Sequence, residues 1–189
     1  MKTKVLIIDN FDSFTFNLVE YFRLSGCEVE IHRNNIDPAM IDQIKPDLIV
    51  LSPGPSIPKK AGNLMKIIDV AHKKYPIFGV CLGHEALIEY FGGSLRYVTP
   101  VHGKSSPITH DKKEIFAQIP QDFQAGRYHS LAGAKIPNCF NITAKTEDVV
   151  MGLKHKTLPI YSVQFHPESI LTMKNQNGLK LIKNLISCI

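Results

Sequence analysis

The chain has 189 residues, of which 44% are hydrophobic and 21% are charged, so we expect one sizeable core in a single domain over residues 1–189. The formal net charge is +5, but the basic residues form only scattered pairs rather than a stripe interleaved with aromatics, which argues against nucleic-acid binding. No apolar stretch reaches the length of a membrane span and the four cysteines lie far apart, so we expect a cytoplasmic protein with reduced thiols, no membrane contact and no metal site.

The first half of the chain alternates between predicted strands and helices. Lys4–Asp9 is an apolar run without alternation, typical of a strand covered on both faces and too short for a signal peptide. Ser13 is predicted to cap the helix that follows. Further strands are predicted at 28–32, 47–51 and 77–80, and helices at 14–24, 38–44, 61–74 and 82–91. This order predicts an α/β fold with a mostly parallel central sheet flanked by helices on both faces.

The second half is less regular. Four segments resemble strands, at 94–97, 140–144, 149–153 and 160–165, and a last helix places Leu179, Ile182, Leu185, Ile186 and Ile189 on one side. No repeat, low-complexity tract or linker interrupts it, which favours one domain.

The segment Gly79-Val80-Cys81-Leu82-Gly83 joins a predicted strand directly to a predicted helix. This is the cysteine counterpart of the serine nucleophile elbow, in which a tight turn presents the nucleophile at the carboxyl edge of the sheet. The helix dipole and the free N–H groups of its first turn favour a thiolate, and the Leu82 N–H is placed to stabilise an oxyanion. An isolated free cysteine is usually a core residue, but these coinciding features make Cys81 the candidate nucleophile.

His166 and Glu168 stand two residues apart at the end of a predicted strand. In extended chain such residues share a face, about 6.6 Å apart. A carboxylate there can accept a proton from one imidazole nitrogen while the other nitrogen faces the thiol. A His-x-Glu pair alone is a weak signal of catalysis, and it becomes informative only in combination with the predicted nucleophile elbow at Cys81.

Six segments then appear in the order known from one enzyme family. They are Asp9-Asn-Phe-Asp-Ser-Phe-Thr-Phe-Asn-Leu18, Leu51-Ser-Pro-Gly-Pro55, Gly79-Val-Cys-Leu-Gly-His84, His102-Gly-Lys104, Arg127-Tyr-His-Ser-Leu131 and Gln164-Phe-His-Pro-Glu-Ser169. Together they resemble the class I, triad-type glutamine amidotransferases. The first and fifth segments more closely resemble the small subunits of anthranilate synthase and aminodeoxychorismate synthase.

The resemblance implies a flavodoxin-like fold, a triad of Cys81, His166 and Glu168, and no cofactor. It also implies a glutamine pocket with an oxyanion hole, formed by Gly54, Pro55, Ser56, Leu82, Glu85, Ser130 and Leu131. The implied partners are L-glutamine and a larger chorismate-binding synthase subunit, in a heterodimer or heterotetramer, that uses the released ammonia to form anthranilate or 4-amino-4-deoxychorismate. Docking is expected near Asn10 to Phe14 and the loop around His102.

Two positions depart from the usual family sequence. Ser56 replaces a glycine, and Glu85 replaces a glutamine one helical turn after Cys81, on the same helix face. A carboxylate at position 85 would oppose thiolate formation, or pair with the α-ammonium group of glutamine. We therefore hypothesise weaker or more partner-dependent glutaminase activity, with the alternative that Glu85 turns away from the site.

Two other functions stay open from the sequence. Glu85 favours a regulatory subunit that has lost catalysis, and the fold would also suit a stand-alone γ-glutamyl hydrolase or a protease-like enzyme. The sequence does not decide between tryptophan and folate supply.

Overall fold

The computed structural model of the chain describes residues 2–189. Its strands are β1 (Lys4–Asp9), β2 (Glu28–Arg33), β3 (Leu48–Leu51), β4 (Ile77–Val80), β5 (Ser94–Tyr97), β6 (Lys104–His110), β7 (Phe123–Arg127), β8 (Leu131–Lys135), β9 (Phe140–Thr146), β10 (Val149–His155) and β11 (Ile160–Val163). Its α-helices are α1 (Thr15–Leu24), α2 (Ile41–Ile44), α3 (Leu64–Ala71), α4 (Leu82–Tyr90) and α5 (Asn177–Ser187). Within residues 2–189, no helix has the length and apolar character needed to cross a bilayer.

Nine strands form one sheet in the order β2-β1-β3-β4-β11-β10-β9-β6-β7. The first five of these run parallel, and β10, β9, β6 and β7 extend the sheet with antiparallel pairs. Strands β5 and β8 make a separate antiparallel ribbon. The predicted α/β class with a mostly parallel central sheet is confirmed.

Helices cover both faces of the parallel strands, which explains their uninterrupted apolar sequences. In β1, Val5 and Ile7 point into the core cluster that includes residues of α1 and α5, while Leu6 and Ile8 point into the cluster with α3 and α4. All four side chains are fully buried. Burying each of them stabilises the fold by roughly 1.5–3 kcal/mol relative to exposure.

Two local features differ from the sequence predictions. Strands β6, β7 and β8 were not predicted, because their sequences are largely polar or small and β6 contains Pro107, which weakens a strand pattern. The predicted Ser13 cap is wrong: Phe14 is the N-cap residue, and its N–H donates to Oδ1 of Asp12 at 2.8 Å.

Four neighbouring parallel strands end at the same edge of the sheet, and the next residues of each come together there. Residues 10–14 follow β1, residues 53–56 follow β3, Cys81 follows β4, and residues 164–168 follow β11. Parallel sheets bind ligands at this carboxyl edge. The topology therefore gathers residues that are separated by up to about 160 positions in the sequence into one site.

Candidate active site

Cys81 lies at the sharp turn between β4 and α4, and its backbone is strained. Its φ and ψ are 51° and −100°, a positive-φ conformation that L-residues rarely adopt, and its N–H donates to the Val163 carbonyl at 2.9 Å. Gly79 and Gly83 permit the turn, because a Cβ on Gly79 would lie 2.7 Å from the Gly83 carbonyl carbon. The turn has the geometry expected of a nucleophile elbow.

His166 and Glu168 form a buried pair just beyond β11. Nδ1 of His166 donates to Oε1 of Glu168 at 2.7 Å, and each residue is 2% exposed. The backbone of His166 is fixed as well, because its N–H donates to the Gly126 carbonyl at 2.9 Å and its carbonyl accepts from the Thr172 hydroxyl at 2.6 Å. Nε2 of His166 is buried without an oxygen or nitrogen partner among the described residues, in a cavity wall that it shares with Cys81.

The charges of these three side chains depend on one another. Burial raises the pKa of the Cys81 thiol and the carboxyl groups of Glu85 and Glu168 add to this, whereas the His166 imidazolium lowers it. Burial lowers the pKa of His166, but the charges of Glu168 and Cys81 outweigh that effect and raise it well above its ordinary value. The Cys81 thiolate is therefore favoured when it forms an ion pair with a protonated His166, whereas an isolated thiolate at this buried position is not.

Two aromatic rings cover the His166 imidazole. The ring centroids of Phe14 and Tyr128 lie 5.1 Å and 4.9 Å from that of His166, both edge-on, and 4.8 Å from each other. A hydrogen bond of 3.0 Å between the Tyr128 hydroxyl and Oγ of Ser169 holds the tyrosine in place. These rings restrict the orientation of the imidazole and shield it from water.

A cavity of about 150 Å³ opens beside Cys81 and contains most of the predicted pocket residues. It is lined by Gly54, Pro55, Ser56, Cys81, Glu85, Tyr128, His129, Ser130 and Leu131. Leu82 does not line it; this residue begins α4, so its N–H has no acceptor within the helix, and its side chain packs beside Gly54. The cavity has room for a small amino acid, with the sulfur in its wall.

The loop after β3 needs glycine at position 54. A Cβ there would lie 2.5 Å from the Asn10 Cβ and 2.7 Å from the Leu82 Cδ2, so any larger residue would displace the loop. Ser56 has φ of 72°, where glycine would be under the least strain. The left-handed backbone accounts physically for a glycine preference at that position, and the serine adopts it here.

A second cavity, of about 430 Å³, also borders Cys81. Its wall includes Cys81 and His166, the loop after β1 from Phe11 to Phe14, and His102. Gly54, Pro55, Cys81 and Tyr128 line both cavities, so Cys81 borders each of them.

Glu85 points into the smaller cavity, which excludes the alternative that it turns away. The residue is 3% exposed, and its Oε1 accepts a hydrogen bond from Nε2 of Gln164 at 3.0 Å. The same Gln164 nitrogen lies 3.8 Å from the Cys81 sulfur. Burial raises the pKa of Glu85 to about 8, with Glu89 raising it further, while the Gln164 hydrogen bond and His166 lower it. The raised pKa keeps a proton on Glu85 at neutral pH.

Replacing Glu85 with glutamine is expected to raise the free energy of unfolding at pH 8 and to change it little near pH 5. Between its ordinary pKa of 4.5 and its folded-state pKa of about 8, the folded chain holds a proton that the unfolded chain releases. The original protein therefore loses up to about 1.4 kcal/mol of stability per pH unit over this range, whereas the neutral amide does not. Urea unfolding at pH 5, 6.5 and 8 measures this, with the exposed Glu20→Gln as control; a difference independent of pH would contradict it.

Sequence reasoning did not assign roles to Gln164, Tyr128 or Phe14. Gln164 precedes His166 and Glu168 at the same two-residue spacing, which was a usable signal. The two aromatic residues belong to segments that resemble the family, but their contact with His166 depends on tertiary packing. Among residues 2–189, no group of three or more His, Cys, Asp or Glu side chains is arranged to hold a metal ion.

Known proteins resemble this chain over nearly its whole length. A family model described as "Glutamine amidotransferase class-I" matches residues 6–185. The chain is 50% identical over 191 residues to "Anthranilate synthase component 2" of Methanocaldococcus jannaschii, covering 97% of this chain and 96% of that protein. It is 44% identical over 187 residues to "Aminodeoxychorismate/anthranilate synthase component 2" of Bacillus subtilis, covering 96% and 95%.

A solved structure agrees with these sequence matches. A protein from Thermoplasma acidophilum, described as a candidate subunit of GMP synthase, superposes with a TM-score of 0.86 at 27% identity, covering 99% of this chain and 96% of that one. Fold, family model and relatives thus coincide over the same residues. The chain belongs to the class-I glutamine amidotransferase family.

Proposed function

We propose that this chain is the glutaminase subunit of a chorismate-using synthase, which hydrolyses L-glutamine through Cys81, His166 and Glu168 and passes the ammonia to a larger subunit. The observation that carries the proposal is the strained cysteine at the strand-to-helix turn, in a cavity wall shared with an imidazole that a buried carboxylate orients. The names of the relatives support a product of anthranilate or 4-amino-4-deoxychorismate.

The reaction is acyl transfer in two steps. The Cys81 thiolate attacks the side-chain carboxamide carbon of glutamine, and the His166 imidazolium protonates the departing nitrogen, so that the C–N bond breaks and ammonia leaves. Neutral His166 then removes a proton from water, which attacks the γ-glutamyl thioester and releases glutamate and the thiol. The N–H groups of Leu82 and Gly54 would stabilise the oxyanion of both steps, and each such donor lowers a barrier by about 3–4 kcal/mol in comparable sites.

The second cavity supports a docking site for the larger subunit. Phe11 is 53% exposed, and Ser13 and His102 are also exposed around the same opening. Asn10 is not part of this surface, because it is 2% exposed and its amide donates to the Ser52 carbonyl at 2.8 Å. An exposed aromatic at the mouth of a reactive site is typical of a protein contact. We propose a heteromeric complex, in the cytoplasm, that forms over this opening.

Glutamate release from L-glutamine, measured on the chain alone and with the co-expressed larger synthase subunit, tests the proposal. We expect release in the complex and a mass shift on Cys81 after treatment with a glutamine-derived electrophile. Labelling of another residue would overturn the catalytic assignment. Binding of the synthase without any glutamate release would favour the regulatory alternative. Full activity without any binding partner would favour a stand-alone hydrolase.

A further inference from the structure

A third cavity lies beside strand β5 and shares no lining residue with the two cavities at Cys81. Its wall is formed by the end of β5, the loop that follows it, the last residue of β7 and the turn between β9 and β10. Its volume is about 430 Å³, and pockets for small molecules commonly have volumes of about 300–1,000 Å³. The cavity is therefore large enough for a small organic ligand.

The wall of this cavity contains a buried arginine without a counterion. Arg127 is 7% exposed, and its Nε and Nη1 donate at 3.1 Å to Nε2 of His129 and to Oγ of Ser106. These contacts use two of the five N–H groups of a guanidinium, so three have no acceptor within residues 2–189. No carboxylate of the same residues lies within 4.0 Å of Arg127. Because a buried charge without a partner is unfavourable, a bound anion would stabilise this arginine.

The other charges of the wall limit which anion fits. Burial lowers the pKa of Arg127, whereas the charges of Glu147 and Asp148 in the same wall raise it. Asp148 is already paired with Arg96, while Glu147 is exposed and makes no salt bridge within residues 2–189. These two carboxylates repel an anion of several charges, such as phosphate. The cavity therefore favours a ligand with a single negative charge.

The free edge of Arg127 and the apolar part of the wall indicate the shape of the ligand. Nη2 makes no hydrogen bond within residues 2–189 and is not enclosed, so a ligand in the cavity can reach it. A planar guanidinium pairs best with a carboxylate, which can accept two parallel hydrogen bonds. Val98, Val101 and Val149 supply apolar surface in the same wall, and the Tyr97 ring is 81% exposed at its edge. A carboxylate on a flat apolar body matches this arrangement.

We propose that this cavity is a binding site for an aromatic monocarboxylate, with the carboxylate on Arg127 and the ring against the three valines. Anthranilate belongs to this chemical class, and its amino group, next to the carboxylate on the ring, can donate to Glu147. The choice of anthranilate as ligand rests on the function proposed above, whereas the site rests on the burial and charges of its residues. The glutaminase subunit would thus bind the product of the complex at a place separate from the glutamine pocket.

Fluorescence titration of anthranilate into the full-length chain, without glutamine or the larger subunit, tests the proposal. The chain contains no tryptophan, so its own emission interferes little with that of the ligand. We expect saturable binding with a Kd of about 1 mM or lower. Benzoate should displace anthranilate, because it keeps the carboxylate and the ring. The neutral 2-aminobenzamide should bind at least about tenfold more weakly than anthranilate, because it cannot form the charged pair with Arg127.

Two variants assign the site to this cavity. Arg127→Met should weaken anthranilate binding at least about tenfold, because it removes the cation. Arg23→Met, on the exposed face of α1, makes the same change of charge and should keep the Kd within about twofold. Circular dichroism shows whether Arg127→Met is folded, and the comparison of anthranilate with its amide needs no variant at all.

Three results would overturn the inference and leave the proposed glutaminase function intact. They are the absence of saturable anthranilate binding below about 10 mM, equal binding of anthranilate and 2-aminobenzamide, and an unchanged Kd in folded Arg127→Met. Conversely, anthranilate binding with no glutamate release by the complex would contradict the glutaminase function while the carboxylate site stands.

Discussion

Cys81→Ala is expected to lower glutamine-dependent synthesis by at least about 10³-fold while leaving ammonia-dependent synthesis by the complex unchanged. In the proposed mechanism the sulfur is the atom that bonds to the substrate, and without it the remaining groups of the site can only activate water weakly. The proposed larger subunit would use ammonia directly, so excess ammonium salt would bypass the lost step. The two rates are measured on the same preparation by product fluorescence or chromatography.

Cys139→Ala is the matched control, because Cys139 is also a free thiol but lies half-buried in a different part of the molecule. It should keep both rates within about twofold, as is usual for changes away from a reactive centre. Loss of both rates in Cys81→Ala would mean that the complex no longer assembles. Retention of the glutamine-dependent rate would remove Cys81 from the mechanism.

The parallel half of the fold was predictable because its signals are local. Strands β1, β3 and β4 are buried on both faces, so their apolar runs are continuous, and the helices between them carry apolar residues at helical spacing. Their order in the chain then limits the topology to a few possibilities. The pattern of apolar and polar residues was therefore sufficient to predict these strands and helices.

The antiparallel extension was predictable only in part, because β9 and β10 were predicted whereas β6 and β7 were not. Strand β6 is exposed at most positions and contains Pro107, and it is held by pairing with β7, where Lys104 lies opposite Arg127, and with β9. Such strands exist because distant segments supply their hydrogen bonds, and no local periodicity records that.

The residues of the site likewise fall into those that local sequence predicts and those whose placement depends on tertiary contacts. The strand-to-helix turn and the His-x-Glu spacing are local signals, and they identified Cys81, His166 and Glu168 from the sequence. The order of the parallel strands then explains why these residues lie close together. The direction of Glu85 was open in the sequence, because a buried carboxylate and an outward-facing one have the same spacing. Its contact with Gln164, at 3.0 Å, depends on the neighbouring strand and decides the question.

Glu168→Gln is expected to lower kcat/KM for glutamine by about 10²- to 10⁴-fold with little change in the fold. The amide has the same shape, and its oxygen can still accept from Nδ1 of His166, so the substitution removes mainly the negative charge. That charge raises the pKa of His166, and the imidazolium in turn lowers the pKa of Cys81. Without that charge the imidazolium gives up its proton to the sulfur, and the thiolate becomes a neutral thiol.

The rate of Cys81 alkylation by iodoacetamide as a function of pH separates this charge effect from a loss of packing. The original protein should react at a nearly constant rate over the neutral range, in which the thiolate–imidazolium pair exists. In Glu168→Gln the proton shared by the pair moves from the imidazole to the sulfur, so the rate at pH 7 falls and recovers only at the higher pH where the buried thiol ionises. Glu20→Gln, on the exposed face of α1, should reproduce the original profile. A variant that loses turnover with an unaltered alkylation profile would show that Glu168 acts by orienting His166 and not through its charge.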